Sequence, residues 1–92
     1  MKKMVIARLF IKNEARSTFL KEATVLIQRT RAEKGCLFYS LYEDAARPGD
    51  FLFYEEYADQ EALDEHFHSA HLQVFRDITG YMHAKDRIVE VI

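Results

Sequence analysis

The predicted strands of this chain are apolar on both faces, and this feature restricts the fold most. In residues 51–58, Phe53 and Tyr57 point to one side, whereas Leu52 and Tyr54 point to the other. The strand predicted at residues 3–12 is also largely apolar on both faces. A sheet with one solvated face alternates apolar and polar side chains, so we expect both faces of this sheet to be covered.

The spacing of apolar residues predicts six elements in the order β-α-β-β-α-β. Asn13 is predicted to cap the first helix and Gly35 to end it, whereas Asp59 caps the second helix, which breaks near Ser69. The predicted strands are residues 3–12, 36–43, 51–58 and 86–92. This order is that of the ferredoxin-like α+β fold, with one antiparallel sheet and both helices on one face. Because two helices cover only one face, we predict a homodimer that packs sheet to sheet.

Length and composition predict one small domain, residues 1–92, and argue against two classes of partner. The 13 basic and 15 acidic residues are interspersed and give a net charge of −2, which argues against a nucleic-acid partner. No apolar run approaches the roughly 20 residues that span a bilayer, so no membrane association is expected. The single cysteine, Cys36, cannot form an intrachain disulfide, and a lone thiol fits a reducing compartment. We therefore predict a cytoplasmic protein.

A carboxylate and an imidazole are predicted to meet on the covered face of the sheet. Glu55 shares a strand face with Phe53 and Tyr57, and His66 is in register with apolar residues of the second helix. His66 is the candidate catalytic base, with Glu55 holding its tautomer. The alternative is a core histidine satisfied by one hydrogen bond. Glu56 is expected on the opposite face, paired with Arg8.

An aromatic wall is predicted around this pair. The candidate substrate-binding residues are Tyr57, Tyr39, Phe53, His71 and Phe75. For the tyrosines the alternative is packing with a wet hydroxyl group, and for His71 it is a cap on the helical turn after the break.

No metal site is predicted. The histidines of the second helical segment, His66, His68 and His71, lack the i, i+4 spacing of helical zinc motifs. A helix break near Ser69 would separate them further.

Four short motifs resemble the antibiotic biosynthesis monooxygenase family, and together they cover nearly the whole chain. Glu33-Lys-Gly-Cys36 is similar to the family's Glu-x-Gly-Cys turn, and Tyr54-Glu-Glu-Tyr57 to its Tyr-Glu-x-Trp strand. Ala62-Leu-Asp-Glu-His66 and Ser69-Ala-His71 are similar to its Ala-Leu-x-x-His and Ser-Pro-His elements. The resemblance implies a dimeric αβ-barrel of two ferredoxin-like subunits.

The resemblance also implies an activity: oxidation of a small quinol or polyphenol by O2 with no cofactor, after a pocket histidine takes a proton. Haem-degrading relatives use an asparagine in the first strand and a tryptophan later, whereas this chain has Ala7 and no tryptophan. Tyr57 and Ala70 replace the family's frequent tryptophan and proline. Two alternatives stay open at this point. One is a non-catalytic dimeric module that binds a small molecule, and the other is an isomerase or enol-processing enzyme related to autoinducer-2 signal processing.

Overall fold

The computed structural model describes all residues 1–92 and contains a four-stranded antiparallel sheet with strand order β2-β3-β1-β4. Its elements are β1 (Lys3–Ile11), α1 (Arg16–Arg31), β2 (Cys36–Glu43), β3 (Asp50–Tyr57), α2 (Gln60–Phe67), α3 (Ala70–Thr79) and β4 (His83–Val91). Short 3₁₀ turns, Asn13–Ala15 and Gly80–Met82, precede α1 and β4. The predicted ferredoxin-like α+β fold is confirmed.

The strands alternate between a covered and an open face of the sheet. Along β3 every second residue, from Phe51 to Tyr57, is buried, and the residues between them are half-buried. The open face keeps large side chains in solvent, since Phe38 is 41%, Tyr42 53% and Ile88 44% exposed. The predicted apolar character of both faces is therefore present, with no part of this chain over the second face.

Two predicted helix boundaries are wrong for physical reasons. Asn13 lies in the 3₁₀ turn, and α1 begins only at Arg16 without a side-chain cap. Gly35 does not end α1, which stops at Arg31. A Cβ atom at Gly35 would lie 2.3 Å from the Cβ of Ala62, so this glycine permits close packing of the α1–β2 connection against α2.

The break in the second helical region is confirmed. Asp59 caps α2 by accepting a hydrogen bond from the backbone N–H of Ala62 at 2.9 Å. Ser69 interrupts the helix because its hydroxyl group accepts from the N–H of Leu72, 3.3 Å away, and caps α3. The same hydroxyl group donates to the carbonyl of His66 at 2.7 Å and so fixes the end of α2.

Aromatic rings link the helices to the covered face of the sheet. The ring centroids of Phe19 on α1 and Phe51 on β3 are 4.8 Å apart, and Phe19 also contacts Phe75 on α3 at 5.8 Å. Phe75 in turn meets Phe53 edge-on at 6.2 Å. None of the helices combines the length and the apolar character that crossing a bilayer requires.

Candidate active site

His66 is the central residue of the site and is 1% exposed. It lies in the last turn of α2, and its ring sits between those of Tyr39 and Tyr57, with each centroid distance 5.3 Å. The fixed end of α2 and the two phenol rings hold the imidazole in one orientation. The ring therefore presents its two nitrogens to two different carboxylates.

Glu33 binds the Nδ1 atom of His66. Its Oε2 lies 2.8 Å from His66 Nδ1 and 2.5 Å from His71 Nε2, so one carboxylate oxygen joins two imidazoles. An acceptor at Nδ1 places the ring proton of neutral His66 on that nitrogen. Nε2 is then left with a free lone pair.

Glu55 faces the other side of His66. Its Oε1 is 3.9 Å from His66 Nε2, which is longer than a hydrogen bond, and it accepts a hydrogen bond from the Tyr57 hydroxyl group at 2.6 Å. The prediction that Glu55 holds the tautomer of His66 is therefore wrong, because Glu33 occupies Nδ1. Glu55 instead lies beside the nitrogen that is free to accept a proton.

Burial favours the neutral form of both groups. It raises the pKa of Glu55 from an ordinary value of 4.5 to about 7, although the Tyr57 hydrogen bond acts in the opposite direction. Burial also lowers the pKa of His66, and the hydrogen bond to Glu33 opposes that change. Near neutral pH the site thus holds a neutral imidazole beside a carboxyl group that is close to half ionised. Both groups can accept a proton there.

A cavity of about 80 Å³ opens beside this pair, between the sheet and α3. Its buried part is lined by Tyr39, Phe53 and Phe75 in addition to His66 and Glu55. Ten of the 17 wall residues are hydrophobic, so a carboxyl group and an imidazole are set in largely apolar surroundings. This combination is typical of small-molecule sites.

The structure brings together five of the seven predicted site residues on the cavity wall. The five are His66, Glu55, Tyr39, Phe53 and Phe75. The other two, Tyr57 and His71, are not among the residues that line this cavity. Tyr57 is fully buried and uses its hydroxyl group on Glu55, and His71 binds Glu33. Neither residue lines this cavity, and their contact with a substrate stays a prediction.

The position of Glu56 on the open face is confirmed, but its predicted partner is wrong. Lys2 Nζ lies 2.8 Å from Glu56, and the Tyr54 hydroxyl group donates to it at 2.7 Å. Arg8 stacks instead near the ring of Phe10, with 5.5 Å from its guanidinium carbon to the ring centroid.

Sequence reasoning missed four residues of the site. Glu33 lies in the short connection between α1 and β2, where no helical or strand periodicity predicts which way a side chain points. Arg76, His83 and Arg87 line the outer part of the cavity. The only sequence signal for Arg76 is its place one turn after Leu72 on the apolar stripe of α3.

Glu33, His66 and His71 have the chemistry of a metal site. Their donor atoms all lie within 4.8 Å of one another, and two imidazoles with one carboxylate suit zinc and other divalent transition metals. Glu33 and His71 do not line the cavity. An ion held there would lie behind His66, away from a substrate in the cavity.

Comparison with known proteins gives one family. The family described as antibiotic biosynthesis monooxygenase matches residues 4–78. Rv0793 of Mycobacterium tuberculosis is 38% identical over 88 residues, which are 96% of this chain and 86% of that protein. The solved structure of Rv0793 matches with a TM-score of 0.93 at 36% identity, and the match covers 100% of this chain and 93% of the Rv0793 chain.

Two further relatives match over much of the chain. YcnE of Bacillus subtilis is 36% identical over 74 residues, which are 78% of each protein. The protein sll1783 of Synechocystis sp. is 28% identical over 96% of this chain, but this chain spans only 60% of its length. The names of Rv0793 and YcnE suggest monooxygenase activity and state no substrate.

Proposed function

The chain belongs to the antibiotic biosynthesis monooxygenase family, and we propose that it oxidises a small quinol or polyphenol with O2 without a cofactor. One observation carries the proposal: a buried imidazole with a free Nε2 and a carboxyl group with a pKa of about 7 face the same largely apolar cavity. Such a pair takes a proton from a phenol near neutral pH. The aromatic wall accommodates the ring of the substrate.

The proposed reaction starts with proton transfer from a phenolic hydroxyl group to His66 Nε2. Ionised Glu55, 3.9 Å away, stabilises the imidazolium that forms. The electron-rich anion gives one electron to O2, and the resulting radical pair forms a carbon–oxygen bond. The imidazolium returns its proton to the peroxide, and the oxygenated ring carbon loses its hydrogen as the O–O bond breaks, so one oxygen atom leaves as water. The quinol supplies all four electrons, and the product is a hydroxyquinone.

Glu33 and His71 are proposed as positioning residues. Glu33 holds the proton of His66 on Nδ1, and His71 holds the same carboxylate oxygen from the other side. Tyr57 acts similarly on Glu55. Partners behind a catalytic base fix its tautomer and orientation, and their loss weakens the base without removing it.

We also propose that two chains associate through the open face of the sheet. Phe38, Tyr42 and Ile88 are each at least 41% exposed there, and half-buried Leu52 and Tyr54 lie between them. A continuous apolar face of this kind marks an interaction surface. A second copy of the chain would cover it symmetrically.

Oxygen uptake tests the proposed activity. Chelator-treated protein is mixed with a panel of quinols and dihydroxynaphthalenes, and uptake is compared with the autoxidation of each compound. We expect protein-dependent uptake with stoichiometric oxygenated product. His66→Gln should lower the rate about a hundredfold or more, which is the usual contribution of a general base.

The exposed His68 provides the matched control. His68→Gln should retain the full rate, whereas equal uptake by His66→Gln would refute the assignment of the base. Absence of uptake combined with base-dependent proton exchange of an enol would favour the isomerase alternative. Ligand binding without either reaction would favour a binding module.

A further inference from the structure

Two arginines stand at the outer end of the cavity without an acidic partner. Arg76 on α3 and Arg87 on β4 both line the cavity, and neither forms an ion pair. His83 lies on the same part of the wall. The chain as a whole is slightly acidic, at −2, so this concentration of positive charge is local.

The two guanidinium groups are close enough to act on each other. The pKa of Arg76 is lowered by burial and then by the charge of Arg87. Two carboxylates act on this group from outside any ion pair: the charge of Glu55 opposes the lowering of the Arg76 pKa, and that of Asp86 opposes the lowering of the His83 pKa. Arg76 is half-buried and Arg87 is exposed, and an anion between them would offset the repulsion of their like charges.

His83 provides evidence for a ligand at this end of the cavity that does not depend on charge. Its Nδ1 is buried and has no hydrogen-bond partner. Buried polar atoms are normally paired, and an unpaired one at a cavity wall often marks the position of a bound group. One end of the cavity wall therefore combines an unpaired imidazole nitrogen with two guanidinium groups that form no ion pair.

The other end of the cavity carries the acid–base pair. Burial dominates the pKa of both groups, raising that of Glu55 and lowering that of His66, and the charge of Arg76 adds a smaller lowering effect on each, so the arginine lies within electrostatic range of the reacting groups. A ligand in the cavity can thus contact the arginines with one part and the acid–base pair with another. Guanidinium groups match carboxylate and phosphate oxygens with paired hydrogen bonds.

We propose that Arg76 and Arg87 bind a carboxylate or phosphate group of the substrate, so that the preferred quinol or polyphenol carries an anionic group. This inference rests on the proposed function for the identity of the reacting end. The oxyanion lies at the outer end, beside His83. The phenol or enol lies at the inner end, against Phe53 and His66.

Equilibrium binding of unreactive probes tests the subsite apart from the activity. Benzoate and phenyl phosphate carry the two oxyanions, and benzamide is the neutral counterpart of benzoate. Binding is followed by NMR chemical-shift changes and by calorimetry, so no oxygen or turnover is involved. We expect at least one of the anions to bind at least about tenfold more tightly than benzamide, since hydrogen bonds between charged groups are the strong ones. The better of the two identifies the oxyanion.

The arginine variants locate the site. Arg76→Gln and Arg87→Gln should each weaken anion binding at least about tenfold and leave benzamide binding unchanged. Arg47→Gln removes the same charge from the exposed β2–β3 turn and should have no effect. Arg87→Lys keeps the charge and should restore part of the affinity, which separates loss of the subsite from loss of the fold.

Three results would overturn the subsite: equal binding of benzoate, phenyl phosphate and benzamide, an equal loss in Arg47→Gln, or shift changes outside the cavity. Arginine-dependent anion binding without oxygen uptake would retain the subsite and reject the oxygenase. Uptake of neutral quinols that is insensitive to Arg76→Gln and Arg87→Gln would retain the oxygenase and reject the subsite.

Discussion

Glu55→Gln is expected to stabilise the folded protein, and only at a pH where Glu55 is ionised. Burial raises the pKa of this carboxyl group from an ordinary value of 4.5 to about 7. The folded state therefore binds more protons than the unfolded state between these values, and stability falls as the pH rises through them. Each pH unit in this interval changes the free energy of unfolding by about 1.4 kcal/mol.

Ionisation of Glu55 thus lowers the free energy of unfolding by about 3 kcal/mol at pH 8 and by almost nothing at pH 4. Glutamine carries no charge, and its side-chain oxygen still accepts the hydrogen bond that Tyr57 donates to Oε1. The gain in stability should therefore approach about 3 kcal/mol above pH 8 and vanish near pH 4. The pKa of His66 is lowered by burial in both proteins, so its contribution largely cancels in the difference.

Urea unfolding followed by circular dichroism, at several pH values and one fixed protein concentration, measures this difference. Glu56→Gln is the matched control at the next residue. The hydrogen bond from Lys2 lowers the pKa of Glu56, so its stabilising contribution is present above the ordinary carboxyl pKa and lost as the pH falls. Its removal should therefore destabilise the protein at neutral pH. A Glu55→Gln effect that does not vary with pH would refute the reasoning.

Three further results are expected. Tyr57→Phe should raise the pKa of Glu55 above about 7, as followed by carboxyl ¹³C NMR, because the hydroxyl group lowers it; an unchanged pKa would contradict the observed hydrogen bond. Gly35→Ala should destabilise the protein by about 1–3 kcal/mol in urea unfolding because its Cβ would meet that of Ala62. Gly80→Ala is the control, since nothing lies within 4 Å of its Cβ position. Sedimentation at micromolar concentration should give a dimer, and a monomer would argue against pairing through the open face.

The sequence predicted most of the fold because its local signals agree with the tertiary structure. The strand Asp50–Tyr57 alternates faces as its residues suggest, and Asp59 and Ser69 form the expected start and interruption of the second helical region. The role of Gly35 was predicted wrongly because it depends on a tertiary contact. A side chain at this position would clash with Ala62, which lies on another element.

The site residues were predictable only where strand or helix periodicity shows which way their side chains point. Glu55 and His66 follow from strand alternation and from the helical stripe. Glu33 does not, because the connection that carries it has no repeating pattern, and its contact with His66 spans 33 positions. Arg87 was missed because β4 pairs with β1 through register shifts, which alter the direction of side chains.

Glu33, His66 and His71 form a cluster that the sequence did not predict, for a similar reason. His66 and His71 are separated by the break at Ser69, and spacing alone argued against a shared ligand. Glu33 brings them together by accepting from both rings. Zinc titration of the protein, with Glu33→Gln as the comparison, would show whether the three side chains bind an ion.

Proton removal from a bound phenol is the central claim, and anaerobic spectroscopy tests it most directly. A quinol that supports oxygen uptake is mixed with the protein at pH 7 in the absence of O2, and the absorbance of its anion is recorded. We expect the anion to form on the wild-type protein and to be greatly reduced on His66→Gln. A substrate that stays protonated on the wild-type protein, while oxygen uptake proceeds in air, would contradict it.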